Sequence, residues 1–519
     1  MTAHPRNDHT ARAMIGRRRF LYYSGVTMGL AGGALAAPAV PAAAGQMRGP
    51  LRGPGSSSKG TYLIPEDFGA DVTAADNSDA LQAALDASAA TGEQLIMNND
   101  YFTTKPLYLP SHVRWSGTGR VTNTAPDLVF GITVLPGNYH PAYWDQLTYF
   151  TGGAVVEGAY HMTLDVPAET SNFAVGDIVF NRSDAHTTLL RPDNNPPNDV
   201  IIFPHYGSFN RIVAINTTSG RIDFEFPWLR AVDVSMIAHA DNSIIDFHGL
   251  RTLYCAYDAQ VDGIRLESVN ASAIARGSTL GSTIHWGELR GQNGLFTNSV
   301  CFSDVSVDSI IVDRKIIDIA GNSVGSQFHI NQATYTKTAR SVRISLIALN
   351  ESMHDLTIDI GTINADGYDF DTFAVRMSRV SGIDVTIDAL NCAGLTGSVV
   401  SFINALDDGP GDTQFVTRDN TVTITSFTGG SSLQSFARYD DPGGHLIRCN
   451  LNGNFVATPL ANAIGCDGTG HTIRGTYSAG DLELGDATDL DIDVDLGGNV
   501  IGCPDPDSTV IVNGNPVTC

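Results

Sequence analysis

The chain has 519 residues, only 17% of them charged, yet it carries a formal charge of −24. A surface this acidic is a poor match for phosphate backbones or anionic bilayers, so nucleic acid and membrane surfaces are excluded as general partners. Seven cysteines, at positions 255, 301, 392, 449, 466, 503 and 519, include no C-x-x-C pair, which argues against a zinc site. Nothing reads as a phosphate-binding loop, a dinucleotide fingerprint, a nucleophile elbow or an H-E-x-x-H helix, so nucleotide-dependent chemistry is not expected.

In chain order, residues 1–44 read as an export signal. Gly16-Arg17-Arg18-Arg19-Phe20-Leu21 resembles the twin-arginine motif, and a weakly apolar run from Val26 to Ala37 and the small residues Ala42-Ala43-Ala44 follow it. The apolar run is short and rich in glycine and alanine, so a cleaved signal is expected rather than a membrane anchor. Its removal takes away five arginines and one aspartate, leaving 26 basic against 54 acidic residues and a formal charge of −28. This route exports folded proteins to the periplasm or beyond. Cys392, Cys449 and Cys466 are therefore expected as small core side chains, with Cys503 and Cys519 placed to close a tail loop. Residues 45–60, rich in glycine, proline and serine, read as a flexible leader.

Residues 61–125 hold the most regular stretch. Asn77 or Ser78 is placed to cap a helix whose Leu81, Ala84, Leu85 and Ser88 share one face, and Gly92 supplies a left-handed stop. Gln94 to Met97, Tyr101 to Thr104 and Leu107 to Leu109 are short strands separated by Asn98-Asn99-Asp100 and Lys105-Pro106 corners. The sequence E-D-F-G-A-D, the D-N-S-x-A-L-Q-A-A-L helix and L-P-S-H-V-x-W-x-G-T-G-R resemble the opening of right-handed parallel β-helix proteins of the pectate-lyase and rhamnogalacturonase superfamily. The resemblance covers about sixty residues. It implies an all-β solenoid whose hydrophobic end is plugged by the helix, and it leaves the chemistry open.

The rhythm breaks over residues 126–241, where Phe173 to Phe180, Asn210 to Ile215 and Arg221 to Phe226 suggest a small antiparallel sheet around a polar loop, His186 to Asn198. An insertion there overhangs one face of a solenoid. Its Tyr206, Phe209 and Trp228 are either sugar-stacking groups or the insertion's own core. Regular coils resume over residues 242–519, with alternating runs such as Leu356 to Ile360, Ile383 to Ile387 and Leu490 to Val494, and several starts about 25 residues apart. The outward Asp489, Asp491, Asp493 and Asp495 read as a solvated edge, with Ca²⁺ as the one cofactor they leave open. Similar solenoids are often trimers, so a homo-oligomer is left open too.

A solenoid displays its chemistry on one face, and catalytic groups should recur at the coil period. Arg265, Arg290, Lys315 and Arg340 are each 25 apart, as are Asp304, His329, His354 and Arg379. β-Elimination on a uronate polymer needs a cation beside the substrate carboxylate, a base for the C5 proton and an acid for the leaving oxygen. His285, Arg290, Lys315, His329, Tyr335, Lys337 and Arg340 supply those types, which makes a polysaccharide lyase the first expectation. The competing signal, Asn364-Ala365-Asp366-Gly367-Tyr368-Asp369, resembles the N-T-D-G-x-D motif of polygalacturonases and offers Asp366, Asp369 and Asp371 for hydrolysis. The family's D-D pair and R-I-K are missing here, and Gly443-Gly444-His445 is a poor G-H-G. A non-catalytic polysaccharide-binding surface protein is the third reading.

Overall fold

The computed structural model describes residues 62–125, 134–135, 137–139, 147–191, 199–240, 246–247, 250–251, 253–269, 274–336, 345–365, 373–403, 417–429, 433–440, 446–456 and 462–518. Residues 1–60, expected as export signal and leader, lie outside the described residues, as do Lys337, Arg340, Asp366, Asp369, Asp371 and Gly443-Gly444-His445. No helix among the described residues is long and apolar enough to cross a membrane.

The fold is all-β, a right-handed parallel β-helix with a capping helix at its start and an antiparallel sheet inserted early. The helix Ser78–Thr91 buries Leu81, Ala84, Leu85 and Ser88, and Gly92 ends it in the left-handed region at φ 73°. Its start differs from the expected cap. The Asn77 side chain is turned away to the preceding loop, where Oδ1 accepts from the Asp71 amide at 2.7 Å and Nδ2 donates to the Asp71 carbonyl. Asp76 takes over instead, accepting from the Ser78 amide at 3.0 Å and the Thr104 amide at 3.1 Å, so the helix start is tied to the first coil.

Behind the helix the chain winds in parallel coils. Trp115, Val261, Ile284, Val305, Phe328 and Ile358 stand in register on successive turns, all pointing inward. The column continues through Val385, Val422, Leu451 and Ile473. Alternation places one residue in and the next out, so each coil buries an aliphatic rung and shows a polar one. The corners between strands are held from inside. Ser282 Oγ accepts from the Ala259 amide at 3.1 Å, Ser303 Oγ from the Ser282 amide at 3.2 Å, and Ser326 Oγ from the Ser303 amide at 3.1 Å. A buried hydroxyl at each corner satisfies an amide that no strand partner reaches. Cys255, Cys301, Cys392, Cys449 and Cys466 are free and buried, as three of them were expected to be. Cys503 is disulfide-bonded, and the position expected to pair with it, Cys519, lies outside the described residues.

Coil length is not uniform. Past the insertion, in-register positions are as close as Asp491 and Thr509, 18 residues apart, and as far as Asp384 and Thr421, 37 apart. The two 25-residue series therefore do not form columns. Arg265 pairs with Glu288, Arg290 with Ile311 and Lys315 with Asn293, while Asp304 pairs with Gln327 and His329 with Asp359.

The inserted sheet has six strands in the spatial order Phe150–Gly152, Ser235–His239, Ile178–Ser183, Gly207–Asn216, Arg221–Phe224 and His161–Thr163. Its inner side packs Phe180, Phe209, Ile212 and Trp228 against Leu280, Cys301 and Val324 of the coils. Phe209 and Trp228 are fully buried and Tyr206 nearly so, and this corrects the sugar-stacking option. These rings bury far more apolar area inside the sheet than at its surface, and they form the insertion's core.

Candidate functional site

The register assembles an outward row that no spacing in the sequence displayed. Asp262, His285, Ser306, His329 and Asp359 follow one another on five successive coils. Asp304 and Asp384 stand in the outward column on one side of this row. On the other side are Asp308 and Asn331, facing each other on neighbouring strands, with Asp388 further along. Each belongs to a strand whose alternate residues are locked in the core, so the side chains are set about 4.8 Å apart along the stack.

The groups are joined to one another. Asp262 Oδ1 accepts from His285 Nδ1 at 2.7 Å, and Asp308 Oδ2 lies 3.2 Å from the other ring nitrogen of His285. Asn331 Nδ2 donates to Asp308 Oδ1 at 2.9 Å, and its own oxygen meets His329 Nε2 at 3.0 Å. Partial burial works against a charge on His285. Its hydrogen bonds to Asp262 and Asp308 outweigh that and raise its pKa above the ordinary value. Solvent reaches the whole row, with the Asp262 and Asp308 side chains 77% and 52% exposed.

Beside this face lies a cleft of about 590 Å³, closed above by the insertion and below by coil corners. Its roof comes from the insertion and carries Glu157, Ser183 to Ala185, His205, Tyr206 and Arg230 to Asp233. Its base is His354, Ser381 and Arg418, stacked in register on successive coils. Arg230 fastens the two together. It donates to both oxygens of Asp355 at 3.0 and 3.1 Å and to Ser381 Oγ at 3.3 Å. His354 lies beneath, with Nε2 on the His205 carbonyl at 2.8 Å and Nδ1 on Ser381 Oγ at 2.7 Å. A carbonyl only accepts, so Nε2 carries the hydrogen and Ser381 donates to Nδ1. Burial, and after it the Arg230 charge, bring the His354 pKa down to about 3, so the ring is neutral. Asp355 moves the other way. Burial raises its pKa, and the Arg230 charge offsets only part of that.

The expected catalytic residues are thus dispersed. His285 and His329 share the outward row. Arg290 stands elsewhere, 3.6 Å from Glu288, which Arg120 also holds at 2.8 Å. Lys315 is bound to Asp318 at 2.8 Å. Tyr335 is fully buried in the solenoid core, so it cannot reach a leaving group outside; its place in the Gln327–Tyr335 alternation turns it inward. Asp262, Asp308, Asn331 and Asp359 were not among the expected residues, whereas the cleft lies beneath the insertion expected to overhang one face. The only signal for them was the in-out alternation of their strands, and it becomes a site only once the uneven coil lengths are known. Among the described residues, no three His, Cys, Asp or Glu side chains converge as metal ligands.

No family model matches the chain. Among solved structures it is similar to the Gp54 tailspike of Acinetobacter baumannii bacteriophage AP22 in complex with A. baumannii capsular saccharide, at 10% identity over 86% of this chain and 76% of that one, with a TM-score of 0.39. The Pseudomonas phage phi297 tailspike gp61 matches at 12% identity over 84% and 83%, with a TM-score of 0.40. The Streptococcus pneumoniae surface protein and adhesin PfbA matches at 12% over 87% and 99%, with a TM-score of 0.35.

Proposed function

We propose that this is an exported polysaccharide-degrading enzyme that hydrolyses glycosidic bonds on the outward face, with a glycan chain lying along the solenoid beside the insertion. The observation that carries the reading is the make-up of the face. Its three outward columns offer Asp262, Asp304, Asp308, Asp359, Asp384 and Asp388 with His285 and His329, and no lysine or arginine occupies these column positions; Arg265, three residues beyond Asp262, has its guanidinium held by the Thr118 carbonyl and Asp100. β-Elimination would require a cation beside a substrate carboxylate, whereas hydrolysis requires two carboxyl groups. Asp308 and Asp359 suit the pair. They lie two coils apart in neighbouring outward columns, about 9–10 Å along the stack, which leaves room for a water between the two carboxyl groups. Asn331 and His285 orient Asp308, which is assigned the role of base, and the half-buried Asp359 is assigned that of acid. Asp366, Asp369 and Asp371 remain the competing hydrolase set. The export reading rests on the twin-arginine-like segment.

The test follows reducing ends and ultraviolet absorbance together on a panel of neutral, basic and acidic polysaccharides. Reducing ends rising alone, and falling by about 10²–10⁴-fold in Asp308→Asn and Asp359→Asn, is the expected result. A parallel rise in absorbance would mean elimination and overturn the mechanism. Activity retained in both variants but lost in Asp366→Asn or Asp369→Asn would move the chemistry to the other aspartates. Binding without cleavage of any substrate would leave a surface binding protein.

A further inference from the structure

One hydrogen-bonded chain of side chains crosses four coils of the outward face, and the chemistry of its atoms fixes which way each hydrogen points. A carboxylate oxygen only accepts, and His285 has a carboxylate on either side, Asp262 Oδ1 at 2.7 Å from Nδ1 and Asp308 Oδ2 at 3.2 Å from Nε2. Both ring nitrogens therefore carry a hydrogen, which makes the ring an imidazolium. At the other end an amide oxygen also only accepts, so His329 Nε2 donates to Asn331 Oδ1 at 3.0 Å, and the Asn331 nitrogen donates to Asp308 Oδ1 at 2.9 Å. Donors converge on Asp308 from two directions, one on each oxygen. The two histidines differ in what this asks of them. A neutral His329 with its hydrogen on Nε2 makes its contact as well as a charged one, whereas His285 reaches both carboxylates only while charged. It is faced by Asp262 from the strand before it and by Ser306 and Asp308 from the strand after it, with Asp304 in the adjoining column. Of the cations nearby, Arg120 is held by Glu288 and Arg265 by Asp100. Partial burial opposes the charge on His285, and the hydrogen bonds to Asp262 and Asp308 outweigh it.

We propose that His285 is a positioning residue that works only as an imidazolium: doubly protonated it clamps Asp308 against Asp262, and loss of one proton to solvent releases Asp308 and stops turnover. This rests on the hydrolytic reading, with Asp308 as base. On deprotonation the ring keeps its remaining hydrogen on the nearer partner, Asp262, and turns a lone pair to Asp308 Oδ2, so the contact at 3.2 Å changes from attraction to repulsion. The hydrogen bond from Asn331 then holds Asp308 by one oxygen, and the carboxylate swings about that contact. A displacement of about 1 Å in a reacting group costs on the order of 10²-fold in rate.

The experiment follows reducing ends released from a polysaccharide of the panel that the parent cuts, across pH, beside an NMR titration of His285 in the same chain. On the alkaline side kcat should carry two ionisations. One belongs to the acid, Asp359, and the other has the midpoint that NMR gives for His285. Asp262→Asn should lower the His285 midpoint in both readings together. Asp359 stands four coils from Asp262, about 19 Å along the stack and well beyond a Debye length of about 8 Å, so its ionisation should stay in place. His285→Gln should remove the second ionisation and lower kcat by about 10²-fold, while KM changes by less than about 2-fold. An NMR midpoint that moves in Asp262→Asn with no part of the kcat profile following it would overturn the proposal, as would a His285→Gln profile that keeps both ionisations. Failure of the parent to cleave any polysaccharide would remove the hydrolytic reading and this proposal with it, whereas cleavage with an unresponsive profile would remove this proposal alone.

Discussion

Arg230 ties the insertion to the coil corners beside their shared apolar core, and Arg230→Ala tests what that tie contributes. The side chain is 20% exposed and gives two hydrogen bonds to Asp355, one to Ser381 and one to the Leu229 carbonyl. Removing one partner of a fully buried ion pair costs about 3–5 kcal/mol, because the other charge is stranded. Exposed pairs are worth about 0–1 kcal/mol. Asp355 is 38% exposed, so solvent screening places the loss between these, at about 2 kcal/mol. That loss should fall on the contact between insertion and coils, because the coils keep their own ladders. Hydrogen exchange reads it locally: amides of Ser235–His239 should lose protection by about 30-fold, while those of the coil strand Thr283–Cys301 keep theirs. The double variant Arg230→Ala/Asp355→Ala should cost less than the two single losses together, since no charge is stranded. Uniform loss of protection through coils and insertion would refute the reasoning, as would unchanged protection in the inserted sheet.

Other consequences follow from single groups. His354 has a folded pKa of about 3 against 6.5 when unfolded, so between those values the unfolded chain holds more protons and stability falls as the pH is lowered. Within that window the slope should be roughly 1.4 kcal/mol per pH unit, visible as the difference in urea midpoints between the parent and His354→Asn, whose own slope is shallower. His285 has the opposite sign. Its folded pKa is raised, so its stabilisation is present below the unfolded value and lost as the pH rises through the folded one. NMR titration should place it above the ordinary histidine value, and Asp262→Asn or Asp308→Asn should lower it. Ser303→Ala strands the buried Ser282 amide and should cost about 1–3 kcal/mol in chemical denaturation, with no change in the neighbouring face's affinity for glycan.

The fold was legible because its signals are local. The apolar face of Ser78–Thr91, the left-handed Gly92 and the alternation in Asp491–Leu496 each report on neighbours within one element. The site was not legible because it depends on which coil stacks upon which. A spacing of 25 residues joins Arg265 to Arg290, but the hydrogen-bonded ladder joins Arg265 to Glu288, and the mean period is no guide when one coil takes 18 residues and another 37. His285 and His329 fell in the same row although the sequence separates them by 44 positions over two coils. The helix cap shows the same limit on a smaller scale: Asn77 has the right chemistry for a cap, but the loop at Asp71 claims it.

Uneven coils also explain how two kinds of control coexist in one solenoid. Within the strands the ladder is strict, so Asp262, His285, Asp308 and Asp359 are held at multiples of a strand spacing and the insertion of a residue in a corner loop does not disturb them. Between the strands the loops vary freely; His354 and Ser381 sit at corner bends inside long strands, beside the left-handed Asp355 and Gly382, and Arg418 opens its strand. Placing the cleft there lets the roof change with the insertion while the face beneath it keeps its geometry. Under the proposed hydrolysis, substitutions in Asp308 and Asp359 should therefore alter how fast a glycan is cut, while substitutions on the cleft's roof leave the spacing of those carboxylates unchanged. A chain whose catalytic groups lay on the loops could not separate those effects, because each change of substrate would also move the reacting carboxylates.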